Sequence, residues 1–372
     1  MRPPQKIVLI QLYSNGDCLY ATAVARQIKS DYPGCHLTWA VASFCKNIIA
    51  NNPYVDEILE ISSVKKDDVK AFRKFTRDVH RGQFHTTFDR VFTTQIAGVN
   101  LAFYDGSIRS NIFRAYPSAI KVPVTPVLNL TVAEMDNVKK FAARFELSDY
   151  KHVILFEYAP QSGQLNISKE IAVSIAEKLI ERTGIAVVLS SGSKVLSMHK
   201  QIIDGSILTL RETAALTHYA TFLLGCSSGI TWVSTSDAAK LLPMVQLLDA
   251  EAKWRNSVLT DFTRFDLPAD ALIEMYEFNE EKIIECVGLA LENFSVAKNK
   301  FNQVAPLNFK TTRSIIYNLL CYLEFGAILK HIKVNVEIYG NNFSFYKEVL
   351  AGFIIFPFRL FSNFIRKQVL KK

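Results

Sequence analysis

Four short segments hold most of the residues whose types and spacing could do chemistry. Asn15-Gly16-Asp17 follows the apolar run 6–12. Its glycine permits a tight turn, and Asp17 falls where a helix should begin, so N–H groups and the helix dipole favour a carboxylate there. Such a carboxylate either caps the helix or serves as a general base at a sheet edge, and position alone favours the cap. Gly225-Cys226-Ser227-Ser228-Gly229 lies between a strand-like and a helix-like run. Small residues let amides approach a phosphate, or merely turn the chain. Tyr158-Ala159-Pro160-Gln161-Ser162-Gly163-Gln164 and Ser190-Ser191-Gly192-Ser193-Lys194 each follow a strand-like run and supply amides, hydroxyls and one cation. Each is also an ordinary polar loop by composition. Neither a dinucleotide fingerprint nor the Walker spacing is present. The informative feature is recurrence: three donor-rich loops follow three strands of one sheet and would face Asp17 from across a crevice.

The elements that must position these loops alternate between strand and helix. Apolar, β-branched runs predict strands over 6–12, 36–42, 55–61 and 88–94, then over 153–156, 185–189, 206–210, 221–224 and 244–248. Helical periodicity is expected over 18–30, 44–50, 65–81, 131–147, 168–183, 211–220, 230–240, 280–294, 311–332 and 345–370. Alternation with short loops implies an α/β protein built from two doubly wound, Rossmann-like parallel sheets, with ligands at the carboxyl ends of the strands. The expected units are residues 1–145, 146–300 and a helical extension, 301–372.

Composition narrows the class. The chain has 372 residues, of which 49% are hydrophobic and 21% charged, which excludes a disordered chain. Of the net charge of +8, residues 345–372 carry +5, from six basic side chains and Glu348. A nucleic-acid partner is therefore not expected, because the body lacks the excess of basic groups that would coat a binding face. Six scattered cysteines and seven histidines show no metal-ligand spacing. No signal peptide is recognised at the start, so a reducing cytoplasm is expected. Residues 349–365 are apolar but interrupted by Pro357 and Arg359, and Arg366, Lys367, Lys371 and Lys372 follow. That pattern is short for a span and suits an anchor on an anionic membrane surface, or a terminal helix packed on the body.

The run I-V-L-I-Q-L-Y-S-N-G-D-C-L-Y-A-T-A-V-A-R-Q-I-K resembles the opening strand, S-x-G-D turn and first helix of glycosyltransferase family 9, the lipopolysaccharide heptosyltransferases of GT-B fold. Y-P-G-C-H-L-T-W-A-V and N-N-P-Y-V-D-E-I-L are similar to the family's next strands. L-T-L-R-E-T-A-A-L with F-L-L-G-C-S-S-G is similar to its helix, strand and D-[ST]-G turn. The likeness covers roughly residues 6–60 and 150–250.

The resemblance implies an inverting transferase that moves a sugar from a nucleotide-sugar donor to a lipid-linked or cell-envelope glycan, as in lipopolysaccharide biosynthesis. It implies neither metal nor further cofactor, and a peripheral place on the inner face of the cytoplasmic membrane. Asp17 matches the catalytic base. The donor would meet Ser162, Gln164, Ser191, Gly192, Ser193, Lys194, Ser227, Ser228 and Gly229. The acceptor would meet Tyr13, Asn15 and Gly16, with Arg109 and Arg114 either joining them or standing as solvated arginines. Four positions depart from the family: Ser227 replaces the turn carboxylate, Trp232 a histidine, Gln164 a lysine and Lys194 a glutamate. These departures keep two other readings open: a non-catalytic nucleotide-sugar or glycan binder on the same fold, and an unrelated two-unit enzyme such as an epimerase.

Overall fold

The computed structural model describes residues 3–65, 68–160, 165, 167–252, 257–304 and 307–369, with side chains as far as Phe358. Two parallel sheets form its frame. The first contains β1 (Lys6–Ile10), β2 (His36–Ala42), β3 (Glu57–Ile61) and β4 (Arg90–Thr93), in the order β3-β2-β1-β4. The second contains β5 (His152–Glu157), β6 (Ile185–Ser190), β7 (Ile202–Asp204), β8 (Phe222–Gly225), β9 (Met244–Leu247) and β10 (Leu272–Met275), in the order β10-β9-β8-β5-β6-β7. In each sheet the strand order reverses once, between β1 and β4 and between β5 and β8. Crevices outside the carboxyl ends of such pairs are where open α/β sheets bind ligands.

The apolar runs form buried strands because helices cover both faces. Helices α1 (Asn15–Asp31), α2 (Val69–His80), α3 (Ile108–Arg114) and α4 (Val132–Arg144) accompany the first sheet. Ile7 and Leu9 pack on the α1 side, whereas Val8 and Ile10 pack with Phe75 and Val79 of α2, the two-residue alternation of a strand. Helices α5 (Lys169–Ile180), α6 (Leu210–Leu216), α7 (Gly229–Val233) and α8 (Val258–Arg264) accompany the second. The chain ends in α9 (Glu280–Glu292), α10 (Phe294–Phe301), α11 (Lys310–Cys321), α12 (Phe325–Tyr339) and α13 (Phe343–Val369).

Three expectations are corrected. The strand expected over 206–210 is a turn, and β7 lies earlier, at Ile202–Asp204. Thr209 and Glu212 form a reciprocal capping box that starts α6 there instead. The single helix expected over 311–332 is two, broken where Leu323 takes a φ of 59°. β10 and α8 form within 249–305, where only the helix over 280–294 was expected.

The extension turns back onto the first half. Asn335 Nδ2 of α12 donates to Tyr104 O at 3.1 Å, and Tyr339 Oη to Asp105 O at 2.5 Å. α13 runs parallel to α11: Arg313 meets both Glu348 oxygens at 2.8 and 3.0 Å, and the Tyr317 and Phe356 rings are 6.3 Å apart. Between them Gly352 allows the close approach, since a Cβ there would lie 2.7 Å from Ile316 Cβ. Among the described residues, no helix is long and apolar enough to cross a membrane.

Candidate functional site

The turn between β1 and α1 is built by neutral amides. Gln95, just after β4, accepts the Leu12 and Tyr13 amides at 2.8 and 3.0 Å. Gln11 Nε2 donates to Tyr13 O at 2.9 Å, and Thr94 Oγ1 to Gln11 Oε1 at 2.9 Å. The side chain after one strand of the reversal pair thus fixes the turn after the other. Ser14 then caps α1 from an extended backbone.

Asp17 is not the cap residue; it stands in the first helical turn and reaches back. Its carboxylate accepts the Ser14 hydroxyl at 3.2 Å and also the Ser14 amide. The two readings of Asp17 are therefore compatible. Burial pushes its carboxyl up to about 7, outweighing both Ser14 hydrogen bonds. A helix-start carboxylate is ordinarily a weak base, and this one departs from that because it is desolvated.

The other half packs beside this turn. Trp232 of α7 is 2% exposed. Its ring lies 4.8 Å from Tyr20, edge to face, and its Cδ1 would touch a Cβ at Gly16 at 3.4 Å. Trp232 therefore seals the two halves together beside the Asp17 turn. Tyr13 and Asn15 remain half-buried beside Asp17. The Tyr13 ring packs 4.9 Å from Phe72 and 5.6 Å from Phe44.

The turn between β8 and α7 is organised by a charge. Glu157, the last residue of β5, is buried, and one of its oxygens accepts the Cys226 amide at 3.2 Å and Thr231 Oγ1 at 2.9 Å. The other accepts the Ile230 amide at 3.3 Å and the Ser228 hydroxyl. Gln246 accepts the Ser227 amide at 2.7 Å. Gly225 is required, because a Cβ would lie 2.6 Å from Thr231 Oγ1 and 2.8 Å from Gln246 Nε2. Ser227 and Ser228, expected to face a ligand, are instead buried. The crevice between β5 and β8 already holds a carboxylate. Glu157 was missed in the sequence, where it is the one charge closing an apolar run, H-V-I-L-F-E.

The loop after β6 remains open. Ser191 Oγ lies 2.8 Å from Tyr158 Oη and accepts the Ser193 amide at 3.1 Å. Gly192, Ser193 and Lys194 are exposed. Among the described residues Lys194 has no hydrogen-bond or ion-pair partner, so its cation is available at the carboxyl edge. Ser162 and Gln164 lie outside the described residues.

Arg109 is buried rather than solvent-facing, whereas Arg114 is 32% exposed and paired with Asp105. Arg109 is 0% exposed and 3.1 Å from the equally buried Asp261 of α8. Its guanidinium lies 4.6 Å from the Tyr20 ring and 5.5 Å from Phe265. Burial pushes Asp261 up to about 6 despite Arg109 and Arg264. Arg114 and Arg264 share Asp105 Oδ2 at 2.8 and 2.7 Å. Arg211, in the first turn of α6, spans the halves, reaching Glu134 at 2.5 and 3.0 Å and the carbonyls of Asn47, Ala50 and Asn129. Among the described residues no three His, Cys, Asp or Glu side chains gather as a metal group.

Two facing Rossmann-like sheets with a returning helical end define the GT-B class of fold. The chain is similar to Escherichia coli ADP-heptose lipopolysaccharide heptosyltransferase II, with 14% identity, TM-score 0.52, and coverage of 78% of this chain and 99% of that one. A family 9 glycosyl transferase from Veillonella parvula gives 14% identity, TM-score 0.50, and coverage of 86% and 99%. A Listeria monocytogenes protein assigned as a UDP-N-acetylglucosamine 2-epimerase gives 10%, 0.50, and 87% and 98%. No family model matches the sequence, and no curated protein matches it. At these identities the likeness defines the fold, which is compatible with more than one chemistry.

Proposed function

We propose that the protein is a glycosyltransferase of heptosyltransferase type. It would move a sugar, with inversion and without a metal, from a nucleotide-sugar to a lipid-linked or cell-envelope glycan. The observation that carries this reading is Asp17: a half-buried carboxyl with a pKa near 7 at the carboxyl edge of the first sheet. An inverting transfer needs a base to take the acceptor hydroxyl's proton as the oxygen attacks opposite the leaving diphosphate, and a base serves best when its pKa lies near the working pH. Epimerisation of a nucleotide-sugar on the same fold also needs a base but consumes no acceptor, so acceptor dependence separates the two reactions.

In this reading the acceptor approaches Tyr13, Asn15 and Gly16. The donor lies on the second half, along Ser191, Gly192, Ser193 and Ser162, with Gln164 nearby and Lys194 as the cation beside the diphosphate. Gly229 and the backbone of Ser228 complete its walls, whereas the Ser228 hydroxyl belongs to Glu157. Residues 345–372 hold the protein on the inner face of the cytoplasmic membrane. Deleting them should abolish sedimentation with anionic vesicles.

The direct test begins with a thermal-shift panel of nucleotide sugars to find the donor. Asp17→Asn should then lower transfer about 10³-fold while donor affinity, read by calorimetry, is unchanged. Retained turnover would remove Asp17 from its role. A second reading, a non-catalytic binder, is favoured by Glu157, whose carboxylate stands where a diphosphate would otherwise meet the turn. Binding of a nucleotide-sugar without hydrolysis or transfer, even with acceptor extracts, would select it.

A further inference from the structure

A second surface of this molecule combines apolar and cationic groups away from the Asp17 turn. A groove of about 490 Å³ runs between α12 and the segment 103–120. Its floor is formed by Phe103, Phe113, Tyr116 and Ile120, and its rim carries the exposed Lys330 and Lys333. Lys330 Nζ lies 4.0 Å from the centre of the Phe103 ring, which holds the ammonium at the mouth. Of the other charges lining it, Arg114 is committed to Asp105 and Glu337 lies 3.8 Å from Lys333. The unneutralised charge of the rim is therefore positive.

We propose that this groove binds one anionic phospholipid, with the headgroup phosphate at Lys330 and Lys333 and the chain along the aromatic floor. A free anion would not need the floor, and a neutral lipid would not need the lysines. The groove also continues an exposed apolar corner. Leu329 adjoins Lys330 and is 70% exposed, and Phe325, Tyr322 and Leu323 are more than half exposed beside it. The parallel pairing of Arg313 with Glu348 and of Tyr317 with Phe356 brings the end of α11 level with Phe358, which is also exposed. Corner, groove mouth and the start of the basic tail thus lie along one end of the extension. Uncovered apolar area of this kind marks an interaction surface.

The inference rests on the membrane reading given above but on different residues, and its test separates the two. The full chain is titrated by calorimetry with a short-chain phosphatidylglycerol kept below its critical micelle concentration. One molecule per chain should bind. Binding should weaken by about tenfold or more, ~1.4 kcal/mol, in Lys330→Glu/Lys333→Glu and in Ala119→Trp. Ala119 is exposed on the rim, so its substitution fills the groove without disturbing the core, and an unchanged melting temperature verifies that. Phosphatidylcholine of the same chain length should bind at least as weakly as the variants do, and inorganic phosphate should not displace the lipid. Equal binding of phosphatidylcholine, equal binding by both variants, displacement by phosphate or absence of saturable binding would each overturn the proposal. If vesicle sedimentation then persists and still needs residues 345–372, the groove inference has failed and the membrane reading has not.

Discussion

The β1–α1 turn and the β8–α7 turn are built by the same device with opposite electrical results. Each lies beside the point where its sheet's strand order reverses. Each is held by a side chain from the partner strand, Gln95 in the first half and Glu157 in the second. Gln95 is neutral, so Asp17 is the acid of its turn and keeps a face toward solvent. Glu157 is an anion that consumes two amides and two hydroxyls of its own turn. The first turn can present chemistry, whereas the second is already satisfied. The difference teaches that a polar turn at a sheet's carboxyl edge is a site only if its donors remain unspent. In the function proposed above, this difference moves the donor's electrostatic contact to Lys194, after β6.

Breaking the comparison on its chemical side should have the largest effect. Asp17→Asn should cost about 10³-fold in transfer, equivalent to ~4 kcal/mol of transition-state stabilisation. On the structural side, Trp232→Ala should destabilise the fold by about 3–5 kcal/mol, read by denaturant melts, because the ring is buried between the halves. Trp232→His, which restores the residue type usual in family 9, should still destabilise. The imidazole cannot fill the space against Gly16 and Tyr20.

Glu157→Ala should destabilise by about 2–3 kcal/mol, since it strands amides of Cys226 and Ile230 and hydroxyls of Ser228 and Thr231 in a buried crevice. Glu157→Gln sharpens the comparison. It converts the second turn to the neutral pattern of the first and keeps one of the two acceptor oxygens, the other becoming an NH2 that faces a backbone N–H it cannot accept from. If the carboxylate repels a diphosphate, nucleotide-sugar binding should tighten in this variant. Unchanged binding would show that the donor does not approach the β8–α7 turn.

The pH dependence sharpens it differently. In the proposed transfer Asp17 acts in its ionised form, so kcat/KM should rise with pH up to about 7 and then level. Stability runs the other way. The folded-state pKa of Asp17 is raised above the value of 3.8 expected when unfolded. Its contribution is therefore fully present below pH 4 and is lost as pH rises through 7. Asp17→Asn should consequently melt higher than the parent at pH 8, by ~1–2 kcal/mol, and alike at pH 4. An inactive variant whose stability advantage is absent at pH 4, grows up to about pH 7 and then levels would separate a functional carboxylate from a structural cap.

How much of this was legible in the sequence depended on the range of the contacts. The apolar runs of β1, β2 and β5 announced themselves because burial on both faces leaves no polar positions. The 131–147 helix did so through the Thr131–Glu134 capping box. Asp17 was legible as a cap or a base, but its raised pKa was not, since burial comes from the fold and not from the local sequence. Arg109 was read as an acceptor contact or a solvated arginine because its partner Asp261 and its aromatic surround lie on other elements. Ser228 looked available because Glu157 is 71 residues upstream. The segment 206–210 misled by its apolar residues Ile207, Leu208 and Leu210, where a capping box outweighs strand propensity.

The smallest expected effect belongs to Lys194, and it tests what the comparison leaves for the donor. Lys194 is exposed, so a single contact with a diphosphate is screened and should be worth ~1 kcal/mol. Lys194→Ala should raise the donor KM about fivefold, leave kcat within about twofold, and leave the melting temperature unchanged. The effect should shrink as salt rises from 50 to 300 mM, because exposed charge pairs weaken beyond a Debye length of about 8 Å at physiological ionic strength. Lys194→Arg should keep most of the affinity, since it retains the charge. An unchanged KM in Lys194→Ala, together with unchanged binding in Glu157→Gln, would mean that neither crevice charge senses the donor. The diphosphate would then have to be held from the loop after β5 alone.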